Sequence, residues 1–132
     1  MLKKKIAILS GLITVVMLAI SGCYKTATIV VNPGSSITAT MSFSNDIIPI
    51  FQKNCALSGC HASGGHVPDL TTANAYNSLI TGSYVKANDP DNSVIMLWLT
   101  GKKSPVMPLG SGPNQEINAK IYAWIYQGAK NN

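Results

Sequence analysis

The stretch from Cys55 to His61 constrains this chain more strongly than any other, because it holds two thiols and an imidazole within seven residues. It reads Cys-Ala-Leu-Ser-Gly-Cys-His, so four residues separate Cys55 from Cys60, and His61 follows at once. Two thiols can form thioethers with the vinyl groups of a haem while the imidazole ligates its iron. The usual attachment signature has two residues between the cysteines. We therefore interpret the stretch as a haem site with a widened attachment loop.

The N-terminus has the features of a bacterial export signal. Lys3 to Lys5 form a positive region, and the apolar run from Ile6 to Ile20 is too short to span a membrane comfortably. The run ends in Ile-Ser-Gly-Cys at Cys23, which resembles the lipobox of bacterial lipoproteins. We predict a signal peptide at residues 1–22, with lipid attached to Cys23 and the protein exported to the periplasmic side of a membrane. An ordinary signal peptide or an uncleaved membrane anchor is the alternative.

The cysteine count agrees with this division of roles. The chain has three cysteines, and lipidation of Cys23 leaves Cys55 and Cys60 as a pair inside the motif. A disulfide between these two is the alternative, because exported compartments are oxidising. Such a disulfide would explain neither the adjacent His61 nor the methionine loop further along the chain.

The charge balance excludes two classes of function. Residues 23–132 hold seven lysines, no arginine and five acidic residues, a net charge of +2. The lysines are scattered, whereas a nucleic-acid-binding surface requires a clustered basic face. The few acidic residues include no pair typical of hydrolase chemistry. We therefore expect no nucleic-acid partner and no hydrolytic site.

The remaining sequence predicts a tether followed by one helical domain. Residues 23–42 are rich in Thr, Ser, Val and Gly and predict a flexible tether, and residues 43–130 predict the domain. A first helix is predicted from an N-cap at Asp46, with Ile47, Phe51 and Cys55 on one face.

Two short helices are predicted in the middle of the domain. One begins with a cap at Thr71 or Thr72 and stops at Gly82. The next follows a cap at Asp91 or Asn92 and ends at Gly101. Its apolar face is predicted to consist of Val94, Leu97 and Trp98. We expect Trp98 to lie in the core or in the wall of a haem pocket.

The last helix has the clearest pattern. It is predicted to start at Pro113 or Asn114 and to end at Gly128. Its apolar positions recur at helical spacing: Ile117, Ile121, Trp124 and Ile125. Because no strand-rich region is evident, the sequence predicts an all-α fold.

Two side chains besides His61 are candidates for the iron. Met107 offers a soft thioether on a loop bounded by prolines, which limit its movement. We predict that Met107 ligates iron, with simple packing as the alternative, and that Met96 fills the core within its helix. His66 lies too close to His61 in sequence to reach the opposite face of a haem easily, so we expect a surface or loop histidine.

These features together resemble the class I cytochrome c family, in particular the small monohaem domains of bacterial lipoproteins. The match covers about residues 43–130 and is carried by the helix before Cys55, the Cys-His pair at His61, the Met-Pro loop at Met107 and the terminal helix. The resemblance implies three to five short helices around one covalently bound haem, with the first and last helices crossing. It also implies thioethers at Cys55 and Cys60, with His61 as the proximal and Met107 as the distal ligand.

Ligation by histidine and methionine implies an electron carrier rather than an enzyme, since six-coordinate iron has no vacant position for a substrate. Its expected partners are redox proteins of the cell envelope, and the membrane through the lipid on Cys23. A peroxidase or gas sensor remains the alternative if Met107 does not bind iron. A haem-free, disulfide-bonded binding module is another, and a zinc site at Cys55, Cys60, His61 and His66 has weaker support because its spacing is unusual.

Overall fold

The computed structural model describes residues 33–132, so the predictions for the signal peptide, for Cys23 and for the first part of the tether lie outside the described residues. The fold contains four α-helices, α1 (Ile48–Asn54), α2 (Ala75–Thr81), α3 (Val94–Leu99) and α4 (Gln115–Tyr126). Short helical turns lie at Pro33–Ser36, Phe43–Ile47 and Pro90–Asn92. No strand occurs between residues 33 and 132, which confirms the all-α prediction for that part of the chain. None of the helices in this range has the length and hydrophobicity of a membrane-spanning segment.

The contact between the two ends of the domain organises its core. Phe43, in the π-helical turn before α1, lies against Trp124 of α4 with a ring-centroid distance of 5.0 Å. The main chain reinforces this contact, because the carbonyl of Asn132 accepts a hydrogen bond from the N–H of Ser44 at 2.8 Å. The side-chain oxygen of Asn132 accepts from the N–H of Phe43 at 2.9 Å. Aromatic packing and hydrogen bonds to the main chain thus hold the first helical segment against the C-terminal part of the domain.

The helical segment before Cys55 begins earlier than predicted. Ser42, not Asp46, is the N-cap, and its hydroxyl accepts from the N–H of Asn45. Asp46 reciprocates, because its carboxylate accepts from the N–H of Ser42 at 2.7 Å. The expected face is confirmed, since Ile47 and Phe51 are fully buried and lead to Cys55 at the end of α1.

Helix α4 forms as predicted. The side chain of Asn114 caps it by accepting from the N–H of Ile117, and Gly128 follows its end with a positive φ of 102°. All four predicted apolar positions are buried: Ile117, Ile121, Trp124 and Ile125. The indole N–H of Trp124 donates to the carbonyl of Lys130 at 2.9 Å, so its burial leaves no polar group without a partner.

Helix α2 ends at Gly82 as predicted but begins after Asn74 rather than at Thr71 or Thr72. Thr71 does not cap the helix because it has another role. Its N–H and its hydroxyl both donate to the Asp69 carboxylate, at 3.0 and 2.6 Å. The prediction of the cap was therefore wrong by one turn.

Helix α3 begins after Ser93, because Asp91 and Asn92 belong to the preceding 3-10 turn. Ser93 is almost fully buried at 1% exposure. Its hydroxyl donates to the carbonyl of Asp89 at 2.9 Å and accepts from the N–H of Lys86, also at 2.9 Å. Those bonds satisfy the buried hydroxyl and fix the turn that leads into α3.

The buried face of α3 differs from the predicted one. Met96 and Leu99 are buried at 4% and 3% exposure, which confirms Met96 as a core residue. The predicted core face of Val94, Leu97 and Trp98 is only half-buried. The Trp98 ring lies under the ammonium group of Lys103 at 5.6 Å, a cation–π contact. Helix α3 therefore leaves an apolar face partly open to solvent.

The predicted tether joins the domain well before residue 42. The turn at Pro33–Ser36 packs on α4, and Met41 is buried at 7% exposure. Gln127, at the end of α4, accepts from the N–H of Met41 at 2.8 Å. The side-chain amide of Gln127 donates to the carbonyl oxygens of Ile37 and Ala39. Within the described residues, the segment from Pro33 onward thus belongs to the folded domain.

Replacing Gln127 should release this segment. We expect Gln127→Ala to lower the free energy of unfolding by about 1 to 2 kcal/mol, since three partly exposed hydrogen bonds are lost. Limited proteolysis should then cut between residues 33 and 42. Gln115→Ala is the matched control, because Gln115 is exposed on the same helix. Equal thermal stability and equal proteolysis in both variants would contradict the prediction.

Candidate haem-attachment site

The four residues between the two cysteines are accommodated by a tight turn. Cys55 closes α1 through an N–H bond to the carbonyl of Phe51 at 2.8 Å. The N–H of Cys60 then bonds to the carbonyl of Leu57 at 2.9 Å, with Gly59 at a φ of 78°. Glycine adopts this left-handed conformation without strain. The residues from Leu57 to Cys60 therefore form a regular β-turn between the thiols.

The end of the loop returns to its start. The N–H of His61 donates to the carbonyl of Cys55 at 3.1 Å, and the N–H of His66 donates to the carbonyl of Cys60 at 2.7 Å. These two bonds bring both cysteines and His61 together on one compact loop at the end of α1. The backbone of the predicted attachment loop thus closes on itself between Cys55 and His66.

The imidazole of His61 is oriented by backbone carbonyls. Its Nδ1 lies 3.0 Å from the carbonyl oxygen of Pro68 and 3.1 Å from that of His66. A carbonyl oxygen can only accept, so the hydrogen of the neutral ring resides on Nδ1. The lone pair of the ring then lies on Nε2, which is the nitrogen available to a metal ion.

Both cysteines of the loop are free thiols and are half-buried. Burial, with a smaller contribution from the charge of Cys60, raises the pKa of the Cys55 thiol from 9.0 to about 11. Cys55 is therefore a neutral thiol at physiological pH. It packs against the hydrophobic core together with Ala56.

His66 is placed as the sequence predicted. Its side chain is exposed, and its contribution to the loop comes from the main chain, where its carbonyl accepts from His61. Among residues 33–132, no three His, Cys, Asp or Glu side chains come together to hold a metal ion. The alternative zinc cluster of the two cysteines and two histidines is accordingly not assembled there.

Met107 lies on a separate loop that follows α3. Its N–H donates to the carbonyl of Trp98 at 3.1 Å, which attaches the loop to the end of that helix. The side chain is half-buried and packs against the same hydrophobic core as Cys55. The structure thus groups three of the predicted haem residues on one loop and places the fourth on another.

The loops of this region also expose apolar side chains that the sequence analysis did not single out. Leu57 is 47% exposed, Val67 77% and Leu109 70%. Leu57 lies between the cysteines, Val67 precedes Pro68, and Leu109 follows Met107 by two residues. In the sequence, these positions could have been recognised as apolar residues inside loops of Gly, Ser and Pro. An apolar ligand that lies against these loops would remove such side chains from water.

The raised pKa of Cys55 predicts slow alkylation of haem-free protein. We expect a variant that retains only this thiol (Cys23→Ala, Cys60→Ala) to react slowly with iodoacetamide at pH 8, because only the thiolate is nucleophilic. The rate should keep rising well above pH 9, since burial is the larger cause of the shift. The same variant in denaturant is the control, and its thiol should titrate at the ordinary pKa of a cysteine. Identical pH profiles in the folded and unfolded protein would contradict the burial of this thiol.

Comparison with known proteins assigns no family to the chain. No family model matches it, and neither a curated protein nor a solved structure matches it significantly. The assignment of the site consequently depends on the geometry of the loop from Cys55 to Pro68 and on the chemistry of its side chains.

Proposed function

We propose that the domain binds one haem c covalently through Cys55 and Cys60, with His61 and Met107 as axial ligands, and that it carries electrons. The observation that carries the proposal is the orientation of His61, whose Nδ1 is held by two carbonyl oxygens while Nε2 remains free. Metal-bound histidines in proteins nearly always donate their other N–H to such an acceptor. The haem would supply an iron that cycles between two oxidation states.

The thiols support covalent attachment. Cys55 and Cys60 are both free, and the turn between them places them on the same loop as His61. Covalent attachment would keep the cofactor on a small exported domain. It would also fill the core of a chain that buries proportionally little surface by itself.

Partly exposed apolar side chains support an apolar cofactor. Half-buried Val94, Leu97 and Trp98 on α3 and the exposed Leu57 and Val67 would all gain from a flat apolar neighbour. Each square ångström of apolar surface removed from water contributes about 25 cal/mol. The partial exposure of these side chains is unfavourable without such a neighbour.

Met107 is the side chain of choice for the second axial position. The thioether is a soft ligand, and the loop that carries it is bonded to α3 through the carbonyl of Trp98. Methionine opposite histidine raises the reduction potential of a haem iron. Because both axial positions would be filled, the site favours electron transfer over the activation of a substrate.

The contact of Phe43 with Trp124 supports a cytochrome c-like arrangement, in which the first and last helices cross. In this proposal Cys23 carries the lipid that tethers the domain to a membrane on the periplasmic side. The electron partners would be redox proteins of the cell envelope.

The ligand role of Met107 is tested by absorption spectra of protein made in a host with cytochrome c maturation machinery. We expect Met107→Leu to lose the weak thioether-to-iron band and to bind carbon monoxide in the ferrous state, because its axial position opens. Met96→Leu is the matched control, since it removes a thioether from the core. A spectrum of Met107→Leu equal to that of the wild type would instead favour an open-site peroxidase or gas sensor.

The attachment residues are tested by mass under denaturing conditions. The wild type should carry the mass of one haem, and the double variant Cys55→Ala, Cys60→Ala should carry none. Cys23→Ala is the control with a matched substitution, and it should lose the lipid while it retains the haem. Wild-type protein without haem, with Cys55 and Cys60 joined in a disulfide, would overturn the proposal and leave a tethered binding module.

A further inference from the structure

We propose that Asp69 and Ser78 act as positioning residues, which fix the ring of His61 by holding the peptide group between Pro68 and Asp69. The inference rests on the proposed function, because it treats His61 as the iron ligand. It adds two residues outside the attachment motif that set the strength of that ligand.

The peptide group between Pro68 and Asp69 is hydrogen-bonded on both sides. Its carbonyl oxygen lies 3.0 Å from Nδ1 of His61. Its N–H, on Asp69, donates to the hydroxyl of Ser78 at 2.9 Å. A peptide unit is planar, with its N–H and C=O pointing in opposite directions. The bond to Ser78 therefore determines where the carbonyl that faces His61 points.

Ser78 provides a firm support because it belongs to α2. That helix is tied to the core by Ala75 and Leu79, both fully buried. One rigid peptide unit thus connects the His61 ring to a helix that is packed in the hydrophobic core.

The carboxylate of Asp69 holds the same peptide from the side. One of its oxygens accepts from the N–H and the hydroxyl of Thr71, at 3.0 and 2.6 Å. The other accepts from the amide of Asn74 and the hydroxyl of Ser63, both at 2.9 Å. These four bonds hold the pKa of Asp69 well below its usual range, so the carboxylate is charged at neutral pH. They join the residues just after His61 to the start of α2.

This support has a chemical consequence for a bound iron. A histidine whose N–H donates to a well-placed carbonyl is a more basic ligand. A more basic ligand favours the ferric state and lowers the reduction potential. If the peptide is released, the carbonyl moves, the bond from Nδ1 weakens and the potential rises.

The first measurement uses haem-free protein and nitrogen NMR of the histidine rings at pH 8.5, where an ordinary imidazole is neutral. In the wild type, His61 should carry its hydrogen on Nδ1. In Asp69→Ala and in Ser78→Ala, we expect the ratio of the Nδ1–H to the Nε2–H form to fall at least about twofold. The exposed ring of His66 serves as the internal reference.

The second measurement is the reduction potential of the haem-loaded protein. We expect Asp69→Ala to shift the reduction equilibrium at least about threefold toward the ferrous state, about 28 mV for a one-electron couple. Asp69→Asn keeps an acceptor for Thr71, and its amide can donate to the hydroxyl of Ser63, so only the bond from Asn74 is lost. This variant should therefore restore most of the wild-type potential. Asp89→Ala is the matched control, because it removes an equal charge that pairs with Lys86 and Asn92. Thr81→Ala, which removes an exposed hydroxyl from α2, is the control for Ser78→Ala.

The outcomes separate this inference from the proposed function. A shift in Asp69→Asn as large as in Asp69→Ala would indicate a charge effect and overturn the positioning role. If Asp69→Ala and Ser78→Ala have the same His61 tautomer ratio and the same reduction potential as their control variants, the positioning role is overturned as well. If Asp69→Ala does not fold, Ser78→Ala decides the result. If the wild type takes up no haem, the proposed function fails, and the NMR measurement still decides whether Asp69 and Ser78 orient His61.

Discussion

The packing of Phe43 against Trp124 is the contact on which the rest of the structure depends. It joins the first helical segment to the last, and the hydrogen bonds of Asn132 to the main chain of residues 43 and 44 close the domain at the same point. Because α1 is fixed in this way, its end is fixed too, and Cys55 leaves the core at a defined position. The ring of Phe43 also contacts Phe51 and Tyr76, so it joins α1, α2 and α4 at the centre of the core.

The residues that follow Cys55 form a series of hydrogen bonds that orient the imidazole of His61. The turn at Gly59 brings Cys60 back, the N–H of His61 closes the loop onto Cys55, and the ring then bonds to the carbonyl of Pro68. Backbone groups supply the supports nearest to the ring, and they act without adding charge. A neutral ligand with a free Nε2 is what an iron ion of a haem requires, and burial of neutral groups costs less than burial of charged ones.

The same region departs from the usual rule for apolar side chains. Val67 and Leu109 are mostly exposed, and the outer face of α3 is only half-buried. Elsewhere in the described residues, Ile80 and Tyr126 are also exposed, and most of the other large apolar side chains gather in one core. The exposed Leu57, Val67 and Leu109 lie on the loops that carry the cysteines and Met107, and a cofactor bound to these loops, as proposed above, would cover them.

The sequence by itself determined the features that depend on local chemistry. The limits of α4 follow from Asn114 and Gly128, and its buried face follows from apolar residues at helical spacing. The order of two thiols and an imidazole in the attachment loop is likewise written in the sequence, and so is the burial of Met96 within an apolar run.

Only the tertiary structure decided the features that depend on distant partners. All six residues of α3 are apolar, so periodicity could not select its inner face, and packing against α4 buried Met96 and Leu99 instead of Trp98. The segment from Pro33 has the composition of a tether, yet it is held by Gln127 from more than eighty residues away. The acceptors of the His61 ring are backbone carbonyls, which every residue possesses and no residue type reveals. Their positions follow from the fold, and with them the nitrogen that remains free for a metal.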